Sequence, residues 1–310
     1  MITDITGLHH ITSLASDARL NNGFFTETLG LRRVKQTVNF DDPNVYHLYY
    51  GNEGGTPGTV MTYFPFPGVT RGRPGIGEVG EIQFAVPKGT LAFWQERLTA
   101  RGAKLGALDT VFGARRLRFS GPDGDPLSLI ETEDDARPAW TDGGVSADVA
   151  IRGFAGASFN LHDTAATSEL LSFMGYQKGE QQGDTTRFII PGGNGADTID
   201  LKAMPGTAFN RQGAGSIHHI AFAVENRQKQ LDVRKALVDT GYQVTPVIDR
   251  DYFWAIYFRT PGGVLFEIAT NEPGFDRDED AAHLGEMLKL PAQYEPFRGQ
   301  IEAGLTPLAA

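Results

Sequence analysis

One structural unit recurs four times along this chain: a strand, a helix, and then further strands closed by a Pro/Gly turn. The fourth copy shows the unit best, with a strand at residues 217–224, a helix at 228–240, and a hairpin that turns at Pro261-Gly262-Gly263. The second copy runs in parallel, with its own turn at Pro122-Asp123-Gly124. Four such units predict an α+β fold made of βαβββ modules.

The repeats divide the chain into two halves with two modules each. We expect an N-terminal half at residues 1–135, a linker at 136–150 and a C-terminal half at 151–272. The linker region is polar and carries glycine and proline, as connections between structured segments commonly do. The tail, residues 273–310, is predicted to pack as helix and coil on the outside of the fold or on a partner subunit, and a homo-oligomer is expected.

Composition excludes several classes of protein. The 310 residues carry a net charge of −10, so no basic field exists to bind nucleic acid or an anionic membrane surface. Without cysteine the chain has no disulfide, thiolate metal site or cysteine nucleophile, and any metal must be held by His, Asp or Glu. The first residues lack the charged start and apolar run of a signal peptide, so we expect an unprocessed cytoplasmic protein.

Two histidine pairs occupy equivalent places in the first and fourth modules. His9-His10 and His218-His219 are each followed by isoleucine in the opening strand of their module. Because neighbouring residues of a strand point to opposite faces, one histidine of each pair should face an interior cavity. In the fourth module His219 shares its face with small residues, which leaves space, whereas His218 shares its face with bulky ones.

The closing strand of the fourth module carries an acidic residue, Glu267, among apolar neighbours. Burying its charge is unfavourable unless the carboxylate is paired or ligates a metal. Two imidazoles and one carboxylate form the set that holds non-haem Fe(II) and leaves positions open for other ligands. The second module has Ser128 at the place of Glu267 and Glu81 at the place of His219, so it lacks this set. The simpler alternative is that the histidines are hydrogen-bonded core residues and the glutamate lies on a solvated edge.

The arrangement of the modules decides whether His10 can join this set. If His10, His219 and Glu267 bind one ion, the first module must share a cavity with the fourth, although they lie at opposite ends of the chain. The alternative arrangement pairs the first module with the second and the third with the fourth. That arrangement would leave His10 far from the metal.

Longer phrases carry a family resemblance. They are GLHHIT at residues 7–12, the segment at 24–68, GSIHHIAFAV at 215–224 and TPGGVLFEIAT at 260–270. Over nearly its whole length the chain resembles the vicinal oxygen chelate superfamily, and within it the hydroquinone 1,2-dioxygenase group of ring-cleaving dioxygenases. The resemblance implies that the four modules form two curved, mixed β-sheet barrels.

The resemblance also implies the residues of the site. The metal ligands would be His10, His219 and Glu267, with Fe(II) as the metal and Mn(II) as its alternative. Other positions of the family's site fall on His9, Thr12, His218, Arg250 and Tyr257. Strand alternation sends His9 and His218 to the face away from the metal, so their role requires a twisted strand start or contact around the edge.

The implied activity is cleavage of hydroquinone-type aromatic rings, substituted or chlorinated ones included, with both atoms of O2 inserted. A para-hydroquinone cannot chelate a metal through both hydroxyls, so one oxygen would bind the metal and the far hydroxyl would meet protein groups. His218 suits a general base because an unperturbed histidine has a pKa of about 6.5. Tyr257 suits proton handling, Arg250 could hold negative charge, and His47 is expected to be structural.

Two other functions stay open at this point. A divalent-metal isomerase of the glyoxalase type would use the same fold without oxygen, and turnover under strict anoxia would identify it. A ligand-binding or resistance protein of the same fold would need no metal, and its purified form would carry none.

Overall fold

The computed structural model describes residues 1–308 and confirms the predicted α+β fold of four βαβββ modules. The first module consists of β1 (Ile5–Ala15), α1 (Ala18–Gly23), β2 (Arg32–Asn39), β3 (Asp42–Gly51) and β4 (Val60–Pro65). The second consists of β5 (Glu78–Pro87), α2 (Leu91–Ala100), β6 (Lys104–Val111), β7 (Ala114–Ser120) and β8 (Pro126–Thr132).

The C-terminal modules repeat this order. The third consists of β9 (Gly153–Leu161), α3 (Ala165–Phe173), β10 (Gln177–Gln182), β11 (Thr185–Ile189) and β12 (Thr198–Ala203). The fourth consists of β13 (Ile217–Val224), α4 (Arg227–Asp239), β14 (Ile248–Asp249), β15 (Phe253–Arg259) and β16 (Leu265–Pro273). Short 3-10 turns follow in the tail at Phe275–Arg277, Ala281–His283 and Glu295–Phe297, before α5 (Arg298–Gly304).

The strands form two curved, mixed sheets of eight strands each. One sheet has the order β14-β15-β16-β13-β1-β4-β3-β2 and the other has the order β10-β11-β12-β9-β5-β8-β7-β6. The first and fourth modules therefore share one sheet, joined where β1 pairs antiparallel with β13, and the second and third modules share the other. The alternative pairing of sequential modules is wrong. Each sheet draws one module from each half of the chain, and the division at residues 1–135 and 151–272 stays a prediction.

The first helix is displaced from its predicted position. The sequence pattern predicts a helix at residues 22–29, whereas α1 begins at Ala18 and continues into a π-helical turn at Phe24–Thr28. The start is set by Asp17, whose side chain accepts a hydrogen bond of 2.8 Å from the backbone N–H of Leu20. Such an N-cap satisfies a helix donor that would otherwise lack a partner.

The tail folds back on the first module of its own chain. The Lys35 ammonium is fully buried and pairs with the carboxylates of Asp278, at 2.6 Å, and Glu279. The guanidinium of Arg32 donates to the backbone carbonyls of Ala281 and Ala282. A buried ammonium needs such partners, so these contacts hold the tail against β2. In the part of the chain that the model describes, no helix is long and apolar enough to cross a membrane.

A buried carboxylate links the hairpin between β7 and β8 to the other sheet. Asp125 is 1% exposed, and its Oδ1 accepts hydrogen bonds from the Tyr63 hydroxyl at 2.9 Å and the Ser13 hydroxyl at 3.3 Å. Ser13 lies on β1 and Tyr63 on β4. Burial raises the pKa of Asp125 to about 6, because the charged form is poorly solvated there.

This carboxylate makes stability depend on pH. In the unfolded chain an aspartate has a pKa of about 3.9, so the stabilising contribution of Asp125 is fully present below about pH 4 and is lost as the pH rises through about 6. We expect the free energy of unfolding of the wild type to fall by about 2 kcal/mol relative to Asp125→Asn between pH 4 and pH 7. Urea titrations at each pH measure this difference, with Asp142→Asn, at an exposed position, as control. A difference that does not change with pH contradicts the prediction.

Candidate metal centre

The two histidine pairs lie at irregularities where β1 pairs with β13. The register of β1 on β13 shifts between Leu8 and His10, where His9 is an extra residue of β1. It shifts again between Thr12 and Ser13, where His218 is an extra residue of β13. Such β-bulges re-aim side chains that regular alternation would place on opposite faces. Strand alternation therefore predicts the orientation of His9 and His218 wrongly, because each side chain remains beside the histidine that follows it.

Three ligand atoms converge in the sheet shared by the first and fourth modules. The Nε2 atoms of His10 and His219 lie 3.3 Å apart. Oε2 of Glu267 lies 2.9 Å from the His219 Nε2 and 3.5 Å from the His10 Nε2. All three side chains are buried. Among residues 1–308 this is the single group of three or more such side chains close enough to hold a metal ion together.

The electrostatics of this group fit a cation. Burial by itself would raise the pKa of Glu267, but the imidazoles of His10 and His219 hold it well below its usual range, so the carboxylate is ionised. Neither carboxylate oxygen makes a well-aligned hydrogen bond within the described residues. A fully buried carboxylate without such a partner is costly, and a metal ion between the three ligand atoms would satisfy it. Two imidazole nitrogens and one carboxylate oxygen suit Fe(II) and related divalent metals.

The first histidine of each pair orients the second. Nδ1 of His9 lies 2.9 Å from Nδ1 of His10, and Nδ1 of His218 lies 2.7 Å from Nδ1 of His219. Burial lowers the pKa of His9 to about 3 and that of His218 to about 4, so both rings are neutral near pH 7 and can accept. If His10 and His219 each donate from Nδ1–H, their Nε2 lone pairs point to the common centre, which is the tautomer that metal ligation requires.

A cavity of about 160 Å³ opens beside the three ligand atoms. This volume is close to the roughly 150 Å³ of an apolar cavity known to hold benzene, so the space fits a single aromatic ring. The cavity wall contains the three candidate ligands, one cationic group, two phenol hydroxyl groups, and several aromatic rings. These residues include His10, His219, Glu267, His218, Arg250, Tyr257, His47, Tyr49, Phe64 and Phe253.

Arg250 and Tyr257 form one side of this wall. The Arg250 guanidinium lies 3.3 Å from the Tyr257 hydroxyl oxygen and 3.5 Å from a carboxylate oxygen of Asp41. The Tyr257 ring centre is 5.7 Å from that of His219. Burial raises the pKa of Tyr257 well above its usual value, so the phenol stays protonated. This side of the cavity thus presents a fixed positive charge and a neutral hydroxyl group.

The predicted site residues fall into two layers. His218, Arg250 and Tyr257 line the cavity with the three candidate ligands. His9 and Thr12 lie behind this wall, where His9 packs against Phe253 at 5.3 Å between ring centres and Thr12 bonds to Thr62. The structure therefore brings all eight predicted residues to one place.

Sequence reasoning missed part of the wall. His47, expected to be structural, lines the cavity together with Tyr49, which the sequence did not single out as a site residue. The internal repeat contains a signal that could have identified Tyr49. Tyr49 pairs with Thr62 across β3 and β4 in the same way as Tyr257 pairs with Glu267 across β15 and β16.

The equivalent region of the other sheet carries no ligand set. Ser128 stands at the place of Glu267, and Arg118, its partner on β7, stands at the place of Tyr257. Glu81 accepts from the Ser128 hydroxyl at 2.9 Å and pairs with Arg116 and Arg118 at 2.9 Å and 3.0 Å. Ion pairs occupy this region, so the candidate metal centre belongs to the first and fourth modules alone.

Comparisons with known proteins agree with this geometry. Residues 159–268 match the family model described as Glyoxalase/Bleomycin resistance protein/Dioxygenase superfamily. The protein named "Putative ring-cleaving dioxygenase MhqO" of Bacillus subtilis (strain 168) is 46% identical over 302 residues, which are 97% of this chain and 96% of that protein. "Chlorohydroquinone/hydroquinone 1,2-dioxygenase" of Sphingobium indicum is 35% identical over 313 residues, covering 96% of this chain and 95% of that protein.

Solved structures share the architecture. A crystal structure of a "putative dioxygenase" from Bacillus subtilis has a TM-score of 0.95 and 45% identity and covers 98% of both chains. Glyoxalase I from Zea mays has a TM-score of 0.62 at 14% identity over 86% of this chain and 92% of that one, which is a likeness of fold alone. Because two relatives match almost end to end at 46% and 35% identity, the chain belongs to the glyoxalase/bleomycin resistance/dioxygenase (vicinal oxygen chelate) superfamily and to its group of ring-cleaving dioxygenases related to hydroquinone 1,2-dioxygenase.

Proposed function

We propose that this protein is an Fe(II)-dependent dioxygenase that cleaves hydroquinone-type aromatic rings and inserts both atoms of O2. Its substrates would be a small aromatic molecule and O2, and Mn(II) is the alternative metal. The proposal rests above all on the convergence of two imidazole nitrogens and one carboxylate oxygen beside a cavity that fits one ring. The names of the relatives agree with this reaction.

His10, His219 and Glu267 would hold the metal, and each has a supporting contact. His9 and His218 orient the two imidazoles through their Nδ1 atoms, and the Glu267 carboxylate is ionised. A metal bound there would supply the one-electron chemistry that allows an aromatic ring to react with O2. The protein's own part is to hold the ring in place, exclude water and manage protons.

The cavity residues select and orient an aromatic ring. Phe64 and Phe253 give the space apolar walls, and the Arg250 guanidinium beside the Tyr257 hydroxyl group offers donors at one side. A substrate oxygen that develops negative charge would be stabilised by these two groups. Thr12 bonds to Thr62, which bonds to His47 of the cavity wall.

His218 is better placed to donate a hydrogen bond than to act as a base. When its Nδ1 accepts from His219, the single hydrogen of the neutral ring lies on Nε2. Burial, together with the neighbouring His219, lowers the pKa of His218 to about 4, which makes it a weak proton acceptor near pH 7. The geometry supports a His218 that stabilises negative charge on oxygen, instead of the general base that its ordinary pKa suggested.

Oxygen uptake tests the proposed reaction. Protein loaded anaerobically with Fe(II) is expected to consume O2 when a hydroquinone is added in an oxygen electrode, with about one O2 per ring cleaved, since both atoms enter the product. Catechol in the same assay shows whether hydroquinones are preferred over catechols as substrates. Turnover of substrate under strict anoxia would indicate an isomerase, and no metal-dependent turnover would indicate a binding protein.

Removing a ligand tests the metal centre. We expect Glu267→Gln to lower the affinity for Fe(II) or Mn(II) by more than about 100-fold, because loss of a ligand exceeds the roughly 10–100-fold that loss of a supporting group costs. Metal content after dialysis measures this. The control is Glu78→Gln, which changes another buried glutamate whose carboxylate accepts from the backbone of Gly75. Equal metal content in both variants would rule out Glu267 as a ligand.

The orienting role of His9 makes a finer prediction. His9→Leu removes the acceptor of the His10 Nδ1–H without changing the cavity wall, so metal affinity is expected to fall by roughly 10- to 100-fold. His283→Leu is the control, because the His283 side chain is exposed and, among the described residues, bonds only to Glu286. Competition with a chelator measures both affinities, and an unchanged affinity in His9→Leu would show that His10 needs no such partner.

A further inference from the structure

A chain of four uncharged side chains runs from the cavity wall into the sheet. The Tyr49 hydroxyl lies 2.8 Å from Nδ1 of His47, and Nε2 of His47 lies 2.9 Å from the Thr62 hydroxyl. The Thr62 hydroxyl in turn lies 2.9 Å from that of Thr12. Tyr49 and His47 line the cavity, whereas both threonines are fully buried.

The position of this chain follows from the internal repeat. Thr62 pairs with Thr12 across β4 and β1 in the same way as Glu267 pairs with Ala221 across β16 and β13. Tyr49 likewise occupies the place of Tyr257. The first module therefore carries a hydroxyl where the fourth module carries the metal-facing carboxylate, so its wall can offer hydrogen bonds but not a second acidic ligand.

All members of the chain are neutral in the folded protein. Burial lowers the pKa of His47 well below its usual value and raises that of Tyr49 well above its usual value. A neutral imidazole has one hydrogen, so it donates from one nitrogen and accepts at the other. The three hydrogen bonds can therefore run in either of two directions, and the direction decides which end of the chain has a spare hydrogen.

Only one direction places the spare hydrogen where a ligand in the cavity can accept it. If Tyr49 donates to His47, then His47 donates to Thr62, and one threonine hydrogen has no acceptor, because within residues 1–308 these hydroxyl groups have no other partner. If Thr12 donates to Thr62 and Thr62 donates to His47, the spare hydrogen is on Tyr49. A buried donor without an acceptor costs free energy, and Tyr49 is the member that can meet a ligand in the cavity.

We propose that Tyr49, oriented by His47, is the specificity-determining donor that binds the second oxygen of the aromatic substrate. This inference rests on the proposed function, in which one oxygen of a hydroquinone is held at the metal and the other must meet the protein. The ligand class is a ring with an oxygen acceptor opposite its phenolic hydroxyl group. His47 acts through Tyr49 as a positioning residue.

A pair of matched ligands tests the inference without turnover. 4-Methoxyphenol and 4-ethylphenol have the same shape at the far end of the ring, but only the first has an oxygen acceptor there. Calorimetric titration of Fe(II)-loaded protein under anoxia is expected to show about fivefold tighter binding of 4-methoxyphenol, as one net hydrogen bond gives. In Tyr49→Phe the two affinities are expected to be equal.

Two further variants separate a role in binding from a role in folding. Tyr46→Phe, on the same strand but outside the cavity wall, is expected to keep the fivefold preference. His47→Leu is expected to lose most of it, whereas His47→Gln, whose amide can both donate and accept, is expected to retain more. His47→Leu against His47→Gln gives the answer if Tyr49→Phe does not fold.

The outcomes distinguish this inference from the proposed function. A wild type without the preference, or a Tyr49→Phe variant that keeps it, overturns the role of Tyr49 whether or not the enzyme consumes O2. Loss of the preference in Tyr49→Phe supports that role even if hydroquinone fails to produce oxygen uptake, in which case the proposed reaction alone is wrong.

Discussion

The antiparallel pairing of β1 with β13 is the constraint on which the candidate site depends. It joins two strands from opposite ends of the described chain, and it places Thr12 beside His219 and His10 beside Ala221. The parallel pairing of β13 with β16 then places Glu267 beside Ala221. Neither module holds a complete ligand set by itself, so the three ligand atoms converge only when the two ends of the chain have folded together. The candidate centre is therefore complete only when the sheet is closed.

The repeat, the modules and the identity of the clustered residues could be predicted from sequence because they depend on local pattern. The repeated strand pattern identified the two histidine pairs as equivalent. The single acidic residue in an apolar strand identified Glu267 as a candidate ligand. The orientation of His9 and His218 could not be predicted, because their bulges arise from pairing between distant strands and strand alternation is a local rule. The roles of His47 and Tyr49 were missed for a related reason. They become visible only when the register of β3 on β4 is compared with that of β15 on β16.

The two sheets have diverged in how they satisfy buried polar groups. In the sheet of the second and third modules, Arg116 and Arg118 pair with Glu81 and Asp109, so opposite charges meet directly and no ion is needed. In the other sheet, Glu267 faces the imidazoles of His10 and His219, and burial lowers the pKa of His219. Among residues 1–308 its negative charge pairs with no arginine or lysine, and a metal ion would supply the missing positive charge. The same architecture thus holds a closed ion-pair network in one sheet and the candidate metal centre in the other.

The charge of a metal-loaded centre would also make a strong base unnecessary. A divalent ion together with the Glu267 carboxylate would carry one net positive charge, and one unit charge at about 4 Å changes an electrostatic energy by about 4 kcal/mol at an effective dielectric constant of about 20. That is about three pKa units, which would bring a phenol from a pKa of about 10 to about 7. A phenolic substrate would then lose its proton near neutral pH without a strong base. His218, with a pKa lowered to about 4, and Tyr257, which stays protonated, are suited to hold the resulting anion as hydrogen-bond donors. Arg250 adds a fixed positive charge on the same wall. Burial therefore makes His218 and Tyr257 poor bases but good hydrogen-bond donors to a phenolate.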